Sequence, residues 1–383
     1  MHPIAFRFAR LARLSLFLTL LIGGAAFVSA APDAPDVSYK LSGDGPLPIG
    51  GDVQEFQISA DGIYTVYLAG QDVADNPQLY AVRTDGSQPP IRLSALPRQG
   101  QYVRAYAISP DNAYVVYSAD QDTRNVIELY SAPLDGSAAP VKLSGPMVEN
   151  GGLPVYFSGF AISSDGSRVV YSADQETDEV NELYVVPVDG STPAQKLNGL
   201  LPPGGGTYSY AISPDSQYLL YTADQDTADV SELYRVPLDG SAAPVKLSGA
   251  LVAGGAVSSF KISPDSQWVA YLADADTNDV VELYAVPLDS SAAPVKLNGA
   301  LTAGGSVGFG QTYAISPDSQ RVIYLADQET DNVDELYSVP IGGGAATRLN
   351  GPLVAGGNVI NVFATSPDSA RVVYCCLLYT SPS

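Results

Sequence analysis

Between Tyr102 and Gly145 the chain alternates short apolar runs with turn residues, and the runs are too short for helices. Tyr102 to Ile108 ends at Ser109-Pro110-Asp111-Asn112. Proline in second place presets the φ of a turn, and Asp and Asn tolerate tight-turn geometry. Tyr114 to Ala119 (YVVYSA) is rich in β-branched and aromatic residues, as a strand requires. An acidic loop, Asp120 to Asn125, leads into Ile127 to Pro133 (IELYSAP). Asp135-Gly136 marks a hairpin, and Pro140 to Leu143 (PVKL) supplies a fourth strand. The unit therefore holds four short strands and no helical period.

The same unit recurs along the chain. Its Ser-x-Asp turn is found at Ser59, Ser109, Ser163, Ser213, Ser263, Ser316 and Ser366, at intervals of 50, 54, 50, 50, 53 and 50 residues. One four-stranded sheet cannot bury both of its faces, whereas sheets stacked radially cover one another. The expected fold class is all-β: a β-propeller of four-stranded antiparallel blades, with six complete repeats, a partial seventh, and seven blades at full length. The phrase running from Tyr210 to Tyr221 (YAISPDSQYLLY) resembles the TolB-like propeller repeat, a relative of the WD repeat marked by Pro-Asp. The resemblance spans roughly residues 38–374 and implies a scaffold fold, without carrying over a partner site.

The two ends read differently from the repeats. Arg7, Arg10 and Arg13 precede an apolar stretch from Leu14 to Ile22, and Val28-Ser29-Ala30 offers the small residues of a cleavage site. Residues 1–30 are thus expected to be a secretory signal cleaved before Ala31, which makes the protein exported, either periplasmic or extracellular. Residues 31–374 form the repeat domain. Within it, residues 38–43 (SYKLSG) match a fourth strand and are expected to close the last blade, removing an exposed edge. Residues 375–383 depart from the repeat. From Cys376 onward they resemble the translated mosaic-end adapter of transposase-based sequencing libraries, so an artefact is expected there and the natural C-terminus is expected further on.

Composition narrows the partners. Apolar residues make up 46% of the chain and charged residues 16%, as in a folded rather than a disordered protein. The formal charge is −22, and the first 30 residues hold three Arg and no acid, so cleavage there makes it three units more negative. Such a surface repels phosphate backbones and excludes nucleic acid, leaving cations, basic proteins or neutral glycans. No second apolar stretch is long enough to span a membrane, and the expected state is a monomer. Cys375 and Cys376 are the only cysteines, so stability must come from the core rather than from disulfides.

Candidate chemistry is sparse. Gly304-Gly305-Ser306-Val307-Gly308 fits a nucleophile elbow, but equivalent connectors read Gly254-Gly255-Ala256-Val257 and Gly356-Gly357-Asn358-Val359. The only histidine is His2, so the rest of the chain holds neither a Ser-His-Asp triad nor a histidine-ligated zinc. No catalytic residue is expected. The acidic loops are the stronger candidates: Asp120 with Asp122; Asp174, Glu176 and Asp178; Asp224 with Asp226; Asp274 with Asp276; and Asp327 with Glu329. Alternating carboxylates on a turn suit Ca²⁺, which takes six to eight oxygens, though the central Gly of an EF-hand loop is missing. The same residues also read as turn formers and as a solvating rim. The tyrosines at Tyr117, Tyr130, Tyr171, Tyr184, Tyr221 and Tyr234 are expected to pack blades rather than stack sugars. Lys142, Lys196, Lys246 and Lys296 are expected to protect edges or pair with the strand glutamates Glu128, Glu182, Glu232 and Glu282.

The leading expectation is an exported, non-enzymatic propeller that binds a protein or glycan partner through an acidic loop face. One alternative is the gating portion of a larger prolyl-oligopeptidase-like serine peptidase. The other is a calcium-stabilised surface or adhesion repeat.

Overall fold

The computed structural model describes residues 41–42, 51–73, 76–95, 100–154, 159–308, 312–354 and 357–377. The expected signal, residues 1–30, lies outside them, as do most of residues 38–43. Every regular element among the described residues is a strand, and none of them forms a helix long and apolar enough to cross a membrane.

Blade 1 comprises β1 (Val53–Ile58), β2 (Tyr64–Ala69), β3 (Gln78–Arg83) and β4 (Ile91–Arg92), and blade 2 β5 (Val103–Ile108), β6 (Tyr114–Ala119), β7 (Glu128–Pro133) and β8 (Val141–Lys142). Blade 3 holds β9 (Phe160–Ile162), β10 (Arg168–Ala173), β11 (Glu182–Pro187) and β12 (Gln195–Lys196). Blade 4 holds β13 (Thr207–Ile212), β14 (Tyr218–Ala223), β15 (Glu232–Pro237) and β16 (Val245–Lys246). Blade 5 holds β17 (Val257–Ile262), β18 (Trp268–Ala273), β19 (Glu282–Pro287) and β20 (Val295–Lys296). Blade 6 holds β21 (Tyr313–Ile315), β22 (Arg321–Ala326), β23 (Glu335–Pro340) and β24 (Thr347–Arg348). β25 (Asn358–Thr365) and β26 (Val372–Leu377) form a two-stranded sheet, and its pairing continues past Tyr374, with Val359 opposite Cys376. Strands pair in sequence order and antiparallel within every blade, so the fold is a β-propeller.

The second strand of each blade is buried from its second residue onward, on both faces. That explains why YVVYSA does not alternate: a sheet sandwiched between two neighbours has no wet face. Within each blade the second- and third-strand tyrosines lie opposite one another and stack, with ring centroids 5.3–5.5 Å apart. In blades 2 to 6 each stacked pair packs on the preceding blade. Tyr221 and Tyr234, for example, meet Val170, Leu183 and Leu197 of blade 3. The expectation that these tyrosines pack blades is met, and each buried aromatic removes a large apolar area from water.

The Ser-Pro-Asp turns add a second lock between blades. Ser213 Oγ donates to Asp215 Oδ1 at 2.6 Å and accepts the Tyr218 N–H at 2.9 Å. The next residue, Ser216, takes φ 60°, and its Oγ accepts the N–H of Asp165 in blade 3. The same bond recurs from Asp215 to Ser266, Asp265 to Ser319 and Asp318 to Ser369.

Blade 1 presents its first strand to solvent. Phe56 and Ile58 are 67% and 50% exposed, while their counterparts Tyr106 and Ile108 pack on blade 1. Leu41 rests on Tyr67, Ala69, Tyr80 and Val82. Leu93, Leu143, Leu197, Leu247 and Leu297 hold the same place on the blade that follows theirs.

Candidate functional site: the acidic loop face

The loop between second and third strands meets the connector between blades, so both lie on one face. Gly145, at the end of blade 2, donates its N–H to Gln175 in the loop of blade 3 at 2.9 Å. The Ser-Pro-Asp and Asp-Gly turns lie at the other ends of the strands.

The first acid of each loop is a brace. Asp224 accepts the N–H of Gly206 on one oxygen at 2.6 Å and that of Asp229 on the other at 3.3 Å. Asp120 does the same for Tyr102 and Asn125, Asp174 for Gly152 and Glu179, and Asp274 for Ala256 and Asp279. Asp327 accepts from Ser306 and Asn332. These backbone donors need an acceptor once buried, and a carboxylate satisfies two of them. The second donor in each case has positive φ: 64° at Asn125, 63° at Glu179, 62° at Asp229, 63° at Asp279 and 59° at Asn332.

The second acid faces a different partner. Lys246 Nζ lies 2.9 Å from Asp226 and 2.9 Å from Glu232, and Lys296 lies 2.6 Å from Asp276 and 2.8 Å from Glu282. Lys142 bridges Asp122 and Glu128, Lys196 bridges Glu176 and Glu182, and Arg348 bridges Glu329 and Glu335. The strand glutamate is buried and accepts a tyrosine hydroxyl as well, as from Tyr234 to Glu232 at 2.8 Å. The ammonium of Lys296 beside Asp276 holds that carboxyl below the usual range. The hydrogen bond to Glu232, above all, raises the pKa of Lys246. The expected pairing of fourth-strand lysines with strand glutamates is therefore present.

The two acids of a loop are thus turned to separate tasks. Among the described residues no group of three or more His, Cys, Asp or Glu is placed to hold a metal ion. A calcium ion at these loops would compete with the lysines and backbone donors that the carboxylates already serve. Asp178, by contrast, is exposed, as are Glu179, Asp229, Asp279 and Asp331 further along the loops.

The glutamine between the two acids is a residue that sequence reasoning passed over. Gln225 Oε1 accepts the Tyr221 hydroxyl at 2.8 Å and the Gly199 N–H at 2.8 Å, tying blade 4 to blade 3. Gln175 and Gln328 do likewise for Tyr171 with Gly145 and for Tyr324 with Gly299. Blade 5 has Ala275 there. Its recurrence in Asp-Gln-Asp and Asp-Gln-Glu was the available signal. Ser306 lies in a connector whose Val307 bridges to Ala326, and the next regular element among the described residues is the strand β21, not a helix.

No protein-family model and no curated protein matches the chain. Solved structures do. Dipeptidyl peptidase 4 of Porphyromonas gingivalis superposes with a TM-score of 0.57 at 12% identity, covering 84% of this chain and 48% of that one. An Agrobacterium tumefaciens protein described as TolB matches 68% of this chain and 83% of its own at 18% identity, with a TM-score of 0.37. A prolyl endopeptidase matches at 14% identity and a TM-score of 0.46, over 86% of this chain and 48% of that one. The chain spans about half the length of each peptidase. The likeness to the Porphyromonas gingivalis peptidase is one of fold alone, and with the repeated four-stranded sheets it shows the chain to be a β-propeller.

Proposed function

We propose that this chain is an exported, non-enzymatic binding module whose loop-and-connector face captures a basic partner. The observation that carries the reading is the run of exposed acids on successive loops: Asp178 and Glu179, then Asp229, Asp279 and Asp331. The lysine-paired acids beside them are themselves about half exposed and add to the field. A surface of one sign raises the local concentration of oppositely charged partners and speeds their association. Export rests on the arginines, apolar stretch and small residues of the first 30 positions. The non-enzymatic reading rests on His2 being the sole histidine, which leaves the rest of the chain without a Ser-His-Asp triad or a histidine-ligated zinc. Calorimetry with a lysine-rich peptide tests the reading. Binding that weakens steeply as salt rises supports it, since exposed charges are screened within a Debye length of about 8 Å at physiological salt. No heat of binding at low salt contradicts it.

A further inference from the structure

Four Asn-Gly pairs stand among the described residues: Asn150-Gly151, Asn198-Gly199, Asn298-Gly299 and Asn350-Gly351. The last three follow fourth strands, and their asparagines are buried. The carboxamide of Asn198 is held at both ends: Oδ1 accepts the N–H of Leu183 at 2.8 Å, and Nδ2 donates to the Gly199 carbonyl at 2.9 Å. Asn298 is fixed in the same way to Leu283 and Gly299, and Asn350 to Leu336 and Gly351. Asn150 differs. It is exposed, in the connector from blade 2 to blade 3, and no hydrogen bond among the described residues holds its carboxamide. The turn itself dictates the pair. Gly151 donates its N–H to the Val148 carbonyl at 2.9 Å, closing a turn in which Asn150 takes φ 65°. Asparagine is among the few side chains that visit this left-handed region, and the matching connectors use Gly204, Gly254 and Gly304 at φ 83–89°. Glycine must follow, because a Cβ on Gly151 would collide with the Asp174 carbonyl oxygen.

We propose that Asn150 is a modification site, where the connector deamidates without an enzyme by way of a succinimide. The Gly151 nitrogen attacks the side-chain carbonyl carbon of Asn150 and a C–N bond forms. The Gly151 proton passes through solvent to the amide nitrogen, which leaves as ammonia. Water then opens the ring at either carbonyl, giving aspartate or isoaspartate. One water is consumed, one ammonia is released, and nothing is oxidised or reduced. Glycine puts no side chain in the way of the attack, and its N–H is freed by local opening of a surface turn, which costs far less than global unfolding. The three buried pairs need a blade interface to open before their carboxamides can turn. The product places a new carboxylate on the loop-and-connector face. Its isoaspartyl form also adds a methylene to the backbone just before Gly151, where packing against Asp174 leaves no room. Gly152 next in line donates its N–H to Asp174 at 2.5 Å, so the modification loosens this brace between blades 2 and 3. The reaction does not depend on what the face binds.

Ageing the folded protein in warm, mildly alkaline buffer made with heavy-oxygen water, then mapping its tryptic peptides in ordinary water, tests the assignment. Trypsin leaves the four asparagines in separate peptides, with Asn150 in the one from Leu143 to Arg168. That peptide gains a labelled carboxylate at least about tenfold faster than the other three. In urea, with the fold removed, the four pairs convert at similar rates. Asn150→Gly, which copies Gly254, folds and acquires no label, and after ageing it melts at a higher temperature than the parent aged beside it. Equal rates for the four pairs in the folded protein overturn the proposal, as does an Asn150 amide that outlasts the others. So does a ranking that survives in urea, since sequence and not the fold would then set it.

Discussion

The ammonium of Lys246 stands 2.9 Å from a carboxylate oxygen of Glu232, and the glutamate is buried between blades. Lys246→Met leaves that carboxylate with the Tyr234 hydroxyl as its remaining side-chain donor. The expected loss is about 1–2 kcal/mol, held down because the lysine side chain is about a third exposed and screened by water. Urea unfolding measures it. Adding Glu232→Gln to Lys246→Met recovers part of the loss, because no charge is then left buried. The lysine pKa is raised in the folded protein, by the Glu232 hydrogen bond first of all, so this stabilisation is present below about pH 10.5 and fades as pH climbs above it.

Blade 5 lacks the glutamine that ties other blades to their predecessors. Ala275→Gln offers an acceptor to Tyr271 and to the Gly249 N–H, and should raise stability by about 0.5–1.5 kcal/mol. The glycines opposite respond in a complementary way. A Cβ on Gly199 would meet the Gln225 side chain at 2.7 Å, whereas one on Gly249 finds only Pro294 at 3.8 Å. Gly199→Ala is therefore destabilising and Gly249→Ala tolerated, as thermal melts of the two variants will report.

Glu179 holds a φ of 63° where other loops use Asn or Asp. The left-handed region costs an ordinary L-residue about 1–2 kcal/mol, and Asn visits it more easily. Glu179→Asn keeps the N–H that reaches Asp174 and should raise stability by about 0.5–1 kcal/mol. A melting temperature unchanged or lowered would show that the side chain does something else.

Acid should unfold the protein through its turns. Asp61, Asp318 and Asp368 have pKa values lowered chiefly by the serine hydroxyl two residues before each, and Asp85, Asp135 and Asp239 by the serine two residues after. A lowered folded pKa means that the unfolded chain binds protons first. This stability is complete above the unfolded value of about 3.8 and is lost as pH falls below it through the folded values. Asp334, raised by burial first and by Asp327 next, opposes the trend as one group against many. A titration by circular dichroism should show unfolding below about pH 4 and a plateau above it.

Much of the fold was legible because the repeat states its own periodicity. The Ser-x-Asp turn sits between first and second strands in each blade, and the expected strand Tyr114 to Ala119 is β6 to the residue. The expected fourth strand, Pro140 to Leu143, narrows to Val141–Lys142, because Leu143 turns inward onto blade 3. The loop acids were legible as a pattern but not as partners. Asp224 and Asp226 are two residues apart, yet one serves the backbone and the other a lysine across the blade. Side-chain destinations of that kind are set by tertiary contacts.

If the acidic loop face captures basic partners as proposed, charge must matter there more than elsewhere on the propeller. Two variants with equal loss of charge test it most directly. Asp178, Asp229, Asp279 and Asp331 changed to Asn alter the loop face; Asp135, Asp189, Asp239 and Asp289 changed to Asn alter the turns at the other ends of the strands. With the dissociation constant of a lysine-rich peptide measured at low salt, the first variant should bind about tenfold more weakly and the second nearly as well as the parent. Equal loss in both would mean that net charge, and not this face, attracts the peptide, and the claim would fall.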